Sequence, residues 1–93
     1  MEDIVTLYNN DFKELLRKVK NKKFDIIYLD PPYKTSYIKE AIEEIVKLDI
    51  KTHEGIVIAE TDEIEKIIED IKDLEVSIID KRKYGRAYLL FIQ

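Results

Sequence analysis

The stretch FDIIYLDPPYKTSY, residues 24–37, decides the fold, because an apolar run ends abruptly in an acid and two prolines. Residues 24–29 have the composition of a buried β-strand. Proline fixes φ and lacks a backbone N–H, and the residue before a proline is pushed toward extended geometry. Asp30 and Pro31 are therefore expected to be held extended and stiff directly after the strand.

The loop that follows this strand offers hydrogen-bond acceptors at one rigid place. The Asp30 carboxylate and the Pro31 carbonyl accept and do not donate, which suits an NH₂ group. Tyr33 adds an aromatic face on which a planar base can stack, a contact worth about 1–3 kcal/mol per base. The alternative is structural: the prolines only stop the strand, and Tyr33 only covers the next helix.

Composition limits the class of protein. The chain has 93 residues, of which 45% are hydrophobic and 39% charged, so we expect one folded domain over residues 1–93. With no cysteine and one histidine, disulfides and metal sites are not expected. No apolar run reaches the roughly 20 residues of a membrane helix, and no signal peptide is recognisable, so a cytoplasmic protein is expected. The net charge of −4 argues against indiscriminate nucleic-acid binding.

Strands and helices are predicted to alternate along the chain. Strands are expected around residues 4–8, at 24–29 and from Gly55 to residue 60; helical spacing of apolar residues follows each of them. Asp11 with Glu14, and Asp62 with Glu65, are predicted to cap two of the helices. Residues 76–80 and 87–92 read as an antiparallel hairpin joined by residues 81–86. The fold class is α/β, with a mixed sheet of about five strands, a C-terminal antiparallel hairpin and helices on its faces.

The alternation also predicts where a site lies. In a sheet built from strand–helix–strand units, ligands bind beyond the carboxyl ends of the parallel strands. The turns at residues 9–11, 30–33 and 60–62 follow the first three strands, and we expect them to be neighbours.

These residues resemble a known family. Residues 30–33 after an apolar strand match the [DNS]-P-P-[YFW] signature of S-adenosylmethionine-dependent methyltransferases acting on exocyclic amino groups of adenine or guanine. The chain is more closely similar to the C-terminal half of the bacterial small-subunit (16S) ribosomal RNA guanine-N(2)-methyltransferase family. This similarity covers residues 24–33, the following helix, the strand GIVIAE and the hairpin KRKYGRAYLLF. The resemblance implies a partial Rossmann-like fold that lacks the family's first two strands and their Gly-rich turn, as part of a longer enzyme.

The resemblance also implies roles for individual residues, with S-adenosylmethionine as cofactor and ribosomal RNA or the small ribosomal subunit as partner. Three groups are implied: catalytic Asp30, Pro31 and Tyr33; substrate-binding Pro32, Tyr33, Lys81, Arg82, Lys83 and Arg86; and cofactor-binding Asp11, Phe12 and Asp30. Simpler readings exist for some of them. Asp11 is a natural helix cap, and basic runs such as residues 81–86 are usually solvated surface.

The strands absent from this chain have a structural consequence. In the family's sheet they lie between the first and second strands present here, so two strand edges are expected to be open. This predicts either a homodimer through exposed strand edges or a displaced first strand. The chain alone is not expected to catalyse. Two other functions stay open: a DNA adenine amino-methyltransferase, which shares the signature, and a non-catalytic α/β interaction module.

Overall fold

The computed structural model describes residues 3–8, 12–19, 21–30 and 36–93, with the backbone alone for Ser36. The alternation of strands and helices is confirmed. The elements are β1 (Ile4–Leu7), α1 (Phe12–Lys18), β2 (Phe24–Leu29), α2 (Ser36–Leu48), β3 (Lys51–Thr61), α3 (Ile64–Ile71), β4 (Ile78–Tyr84) and β5 (Ala87–Ile92). Within these described ranges, no helix has the length and apolar character needed to cross a bilayer.

The five strands form one mixed sheet in the order β1-β2-β3-β5-β4. The first three strands are parallel, and β5 runs antiparallel to both β3 and β4. Sequential parallel strands need a helical crossover, whereas the last two strands need only a tight turn. The predicted fold class, a mixed α/β sheet ending in an antiparallel hairpin, is confirmed.

The expectation of a gap between the first two strands is wrong. β1 pairs directly with β2 through four residue pairs, from Ile4 opposite Ile26 to Leu7 opposite Leu29. The backbone groups along the edge of β2 require partners, and β1 supplies them. This arrangement corresponds to the displaced first strand, and the outer edges of the described sheet belong to β1 and β4.

One face of the sheet carries the hydrophobic core. Because β1, β2 and β3 follow one another in one direction, right-handed crossovers place their helices on the same face. Alternate residues of the strands and the inner faces of all three helices form a single buried cluster: Leu7, Ile27, Leu29, Val57, Ala59, Leu90 and Ile92 from the sheet, with Leu16, Ile38, Ile42, Ile45, Ile64, Ile67 and Ile71 from the helices.

The opposite face of the sheet, here called the open face, has no helix on it among the described residues. It is formed by Ile26, Tyr28, Ile56, Ile58, Glu60, Leu89 and Phe91, all of them only partly buried. These residues alternate with the core residues along each strand, as the two-residue period of a β-strand requires. The side chains that point away from the core therefore remain accessible.

β1 is attached to the helical layer as well as to the sheet. The buried Tyr37 hydroxyl at the start of α2 donates to the Leu7 carbonyl at 2.7 Å. The Phe12 ring meets the Tyr37 ring edge-on, with centroids 5.0 Å apart. Buried tyrosine hydroxyls usually find such a partner, and here the partner is the last carbonyl of the first strand.

The C-terminal hairpin is longer than the sequence suggests. β4 continues to Tyr84, so residues 81–84 lie on a strand and not in the connecting loop as predicted. Tyr84 pairs with Ala87, which leaves Gly85 and Arg86 as a two-residue loop. Gly85 has φ of +59°, and a positive φ at the first loop position fits the type II′ turn that hairpins favour.

The cap of α3 also differs from the prediction. Asp62 does not form the expected capping box, and Glu63 at the N-cap makes no side-chain capping bond. Instead, the buried Thr61 hydroxyl accepts a hydrogen bond from the Glu63 backbone N–H at 3.0 Å. The end of β3 and the start of α3 are thus joined by the last strand residue. The box predicted at Asp11 lies outside the described residues.

We expect Gly55→Ala to destabilise the fold. Gly55 lies where the register between β2 and β3 shifts, and a Cβ there would come within 2.8 Å of Lys51 Cγ and Thr52 Oγ1 and 3.0 Å of the Phe24 carbonyl oxygen. Overpacking of this kind costs about 1–3 kcal/mol, measurable by chemical denaturation. Gly85→Asn is the control, because the turn is open and asparagine tolerates positive φ. Equal stability of Gly55→Ala and the parent would contradict the close packing.

Candidate functional site

The candidate site lies at the carboxyl edge of the sheet, where the parallel strands end together. Leu7 pairs with Leu29, and Leu29 pairs with Ala59. Asp30 follows β2 directly, and its backbone N–H donates to the Leu7 carbonyl at 3.0 Å. Of the three turns predicted to meet here, the structure brings together Asp30 and residues 60–62. Residues 9–11 lie outside the described residues.

A row of side chains crosses the open face at this edge. Because Leu29 is level with Ala59, Asp30, the first residue after β2, comes next to Glu60 of β3. Glu60 is level with Leu89 on β5, and Leu89 with Arg82 on β4. Besides burial and Glu60, the Asp30 charge contributes to the raised pKa of Tyr28, so this carboxylate lies near the Tyr28 phenol.

Tyr28 and Glu60 form a hydrogen-bonded pair inside this site. The partly buried Tyr28 hydroxyl donates to Glu60 Oε1. The pKa of Tyr28 is raised to about 12. The largest cause is burial, followed by the hydrogen bond to Glu60, the Glu60 charge and the Asp30 charge. The hydroxyl therefore stays protonated and acts as a donor, and its response to Asp30 places that carboxylate nearby.

A cleft opens next to this pair. It has a volume of about 370 Å³ and is lined by Tyr28, Glu60, Tyr84, Ala87 and Leu89. Tyr84 is 58% exposed. The cleft thus combines two phenol rings, one carboxylate and an apolar floor, and its volume falls in the range of small-molecule sites.

The basic residues predicted to contact substrate are divided between the two sides of β4. Arg82 lies on the open face, where it pairs with Asp80 at 3.0 Å and stacks 5.4 Å from the Phe91 ring. The hydrogen bond to Asp80, followed by one to Tyr84, raises the pKa of the Arg82 guanidinium. Arg82 is therefore held at the rim of the cleft.

The remaining basic residues of the hairpin point elsewhere. Lys81 is level with the core residue Leu90 and so lies on the other side of the sheet. Lys83 shares that side, with its ammonium 5.7 Å from the Tyr88 ring. Arg86 is exposed in the two-residue turn. Substrate contact by these four residues stays a prediction.

The residues implied for the cofactor are only partly described. Asp11, Pro31, Pro32 and Tyr33 lie outside the described residues, and their roles stay predictions. Phe12 is 4% exposed and belongs to the core, whereas Asp30 is partly accessible. S-adenosylmethionine carries a cationic sulfonium and a cationic amine. The neighbouring Asp30 and Glu60 carboxylates are of the matching charge, so the described side chains at this edge fit that group.

A larger cavity lies at the opposite end of the strands. It has a volume of about 960 Å³ and is lined by the end of α2, the start of β3 and the end of β5. Its rim includes the exposed pair between Lys23 and Asp49, with 2.8 Å between nitrogen and oxygen. Ligands of parallel sheets bind at the carboxyl ends of the strands, and Glu60, at the carboxyl end of β3, lines the smaller cleft. We therefore assign the site to the smaller cleft.

Sequence reasoning missed Tyr28 as a site residue, and it placed Glu60 at the predicted edge without giving it a role. Tyr28 lies within an apolar run that reads as a buried strand, and Glu60 adjoins a turn that reads as helix capping. The available signal was the two-residue period, which puts Tyr28 on the face of Asp30. Among the described residues, no three histidine, cysteine or acidic side chains are grouped as metal ligands.

The raised pKa of Tyr28 predicts an alkaline loss of stability. The unfolded tyrosine loses its proton near pH 10, whereas the folded one keeps it to about pH 12. Its stabilising contribution is therefore complete below pH 10 and is lost between pH 10 and 12.

The titration can be followed by NMR of ¹³C-labelled tyrosine, with Tyr28→Phe to assign the signal. Glu60→Gln should lower the pKa of Tyr28 without restoring the ordinary value, because burial is the largest cause. A midpoint near 10 in the parent protein would refute the pairing.

Sequence comparison places the chain in a family. A family model described as conserved hypothetical protein 95 matches residues 1–93. An uncharacterised methylase of Rickettsia prowazekii (strain Madrid E) is 32% identical over 91 residues, which cover 92% of this chain and 35% of the methylase. The chain thus spans about a third of the length of this curated relative.

Structure comparison shows which fold the chain has. The ribosomal protein L11 methylase of Lactobacillus delbrueckii subsp. bulgaricus matches with a TM-score of 0.64 and 25% identity, over 88% of this chain and 42% of that one. The B. subtilis tRNA methyltransferase TrmK matches with a TM-score of 0.53 and 15% identity, over 96% and 47%. The chain belongs to the conserved hypothetical protein 95 family and has the Rossmann-like fold of methyltransferases.

Proposed function

We propose that this chain supplies the base-binding and catalytic edge of an S-adenosylmethionine-dependent methyltransferase that modifies the exocyclic amino group of guanine in ribosomal RNA. The observation that carries the proposal is the position of Asp30, which directly follows the parallel strand β2, close to the pair of Tyr28 and Glu60. The methylase relative and the fold support methyl transfer. The signature at residues 30–33 supports an amino group as acceptor.

In the proposal, Asp30 activates the exocyclic amine of the base, which is a weak nucleophile. The lone pair of an exocyclic amine is delocalised into the base, so the nitrogen attacks poorly. An Asp30 carboxylate that accepts a hydrogen bond from this amine localises the lone pair on nitrogen and holds the proton that must leave. The bound cofactor supplies the electrophilic methyl group. In the proposal, the Pro31 carbonyl is the second acceptor and Tyr33 stacks on the base.

The setting of Asp30 supports this role. Its backbone is anchored to the Leu7 carbonyl, so the carboxylate starts from a fixed point at the sheet edge. The site is partly buried, and interactions between charges are stronger there than in bulk water. With Glu60 beside it, Asp30 contributes to a negative edge that attracts a cationic cofactor.

We expect Asp30→Ala, which removes the acceptor, to slow methyl transfer strongly without unfolding the protein. Because the chain corresponds to 35% of the Rickettsia methylase, the assay uses a chimera in which this chain replaces the matching part of that protein. Labelled S-adenosylmethionine and ribosomal RNA are incubated, and the RNA is digested to nucleosides. The label is expected in N2-methylguanosine, and Asp30→Ala should lower the rate about 10²- to 10⁴-fold.

The matched control is Asp73→Ala, which changes an exposed aspartate just after the end of α3. It should leave the rate unchanged. Activity of Asp30→Ala equal to the parent's would refute the catalytic role. Label in an adenine nucleotide of DNA, and not in guanine, would support the alternative substrate.

With ribosomal RNA as the partner, the proposal locates the protein in the cytoplasm. It also assigns phosphate binding to the C-terminal hairpin of β4 and β5. Each phosphate contact contributes about 0.7–0.9 to the slope of log affinity against log salt. The double variant Lys83→Ala/Arg86→Ala should therefore lower the slope for single-stranded RNA by about 1–2. Lys66→Ala/Lys72→Ala, on or just after α3, removes the same charge and should leave the slope nearly unchanged. Equal slopes for the two variants would contradict hairpin binding.

A further inference from the structure

We propose that Glu60, positioned by Tyr28, selects guanine over adenine by accepting the N1–H of the target base while Asp30 accepts its amino group. The inference rests on the proposed function, because it concerns how the same site distinguishes its base. It assigns Glu60 as a specificity-determining residue and Tyr28 as a positioning residue.

The placement of the two carboxylates supports this assignment. Asp30 and Glu60 continue neighbouring parallel strands at the same level, and such strands lie about 4.8 Å apart. Glu60 lies on the open face and accepts the hydrogen bond of the Tyr28 hydroxyl. After burial and Glu60, the Asp30 charge contributes to the raised pKa of the same hydroxyl. Two acceptors at adjacent positions match a base edge that presents adjacent donors.

The edges of the bases differ in this respect. The Watson–Crick edge of guanine presents the N1–H and the 2-amino group side by side, so both groups donate. Adenine presents its amino group next to N1, which is an acceptor and is repelled by a carboxylate. An enzyme that extrudes its target base reads this edge by hydrogen bonds. A pair of carboxylates therefore accepts both donors of guanine. With adenine in the site, one carboxylate faces the N1 acceptor and makes no hydrogen bond.

The hydrogen bond from Tyr28 makes Glu60 suitable for such reading. Tyr28 occupies Oε1, and the second carboxylate oxygen makes no hydrogen bond to any part of the chain that the structure describes. Glu60 is partly buried, so this oxygen has a defined direction and a reduced supply of water. A site built to hydrogen-bond a substrate group discriminates against analogues that lack the group.

The adjoining cleft provides room for the rest of the nucleotide. Its floor is formed by Ala87 and Leu89, and the exposed Tyr84 ring forms one wall. Arg82 lies at its rim beside Tyr84. An apolar floor with an aromatic wall suits the face of a base, whereas the two carboxylates meet its edge.

Binding of labelled pentaribonucleotides tests the inference. Each carries one variable base between uridines: guanine, adenine, hypoxanthine or 1-methylguanine. Hypoxanthine keeps the N1–H of guanine and lacks the amino group, whereas 1-methylguanine keeps the amino group and lacks the N1–H. Affinities are measured by fluorescence anisotropy for the parent protein, Glu60→Gln and Tyr28→Phe. Glu63→Gln, which removes a nearby exposed carboxylate, is the control. Circular dichroism checks that each variant is folded.

The parent protein should prefer guanine over adenine about tenfold to a hundredfold, the range of a good base contact. Glu60→Gln should lose most of this preference and tolerate 1-methylguanine, but should still discriminate against hypoxanthine through Asp30. Tyr28→Phe, which keeps the charge of Glu60 and releases its oxygen, should lose part of the preference. Glu63→Gln should behave as the parent.

Two results would overturn the inference in distinguishable ways. If the parent binds the guanine and adenine pentamers equally, or if folded Glu60→Gln and Tyr28→Phe keep the full preference, Glu60 does not select the base and the proposed function stands. If the parent binds neither pentamer more tightly than the all-uridine one, base recognition at this edge fails, and the proposed function fails with it.

Discussion

The parallel pairing of β2 with β3 is the constraint on which the site depends. Leu29 and Ala59 are level with each other, so the residues that follow them emerge at the same height and on the same face. A shift of one residue in this register would turn Tyr28 into the core and bring Leu29 to the open face. The core prevents that shift, because Ile27, Leu29, Val57 and Ala59 are buried against the helices. Packing of the core on one face of the sheet thus determines which side chains the opposite face presents.

Most of the fold could be predicted from the sequence, because the patterns that specify it are local. The apolar run at residues 24–29, the helical spacing after residue 36 and the turn at Gly85 each carry their own signal. The boundaries of β3 and β4 could not be predicted in the same way. Residues 81–84 look like a charged loop, yet they extend β4 because pairing with β5 satisfies their backbone groups at a solvent-exposed edge.

The candidate site was only partly predictable, for a different reason. Asp30 stands out because the prolines after it break a buried strand. Tyr28 and Glu60 have no such mark, since tyrosine is common in strands and glutamate is common before helices. Their meaning depends on which strands become neighbours and on the register between them, and both are properties of the assembled sheet. The pairing of β1 with β2 is another property of this kind.

One carbonyl oxygen has a further consequence for ligand binding. Leu7 accepts a hydrogen bond from the Asp30 backbone N–H at 3.0 Å and another from the Tyr37 hydroxyl at 2.7 Å. The end of β2 and the start of α2 are therefore held together at a single atom. Fixing these two elements relative to each other before a ligand binds reduces the entropy that binding has to overcome. The first strand, which contributes no side chain to the cleft, thereby lowers the entropic cost of recognition.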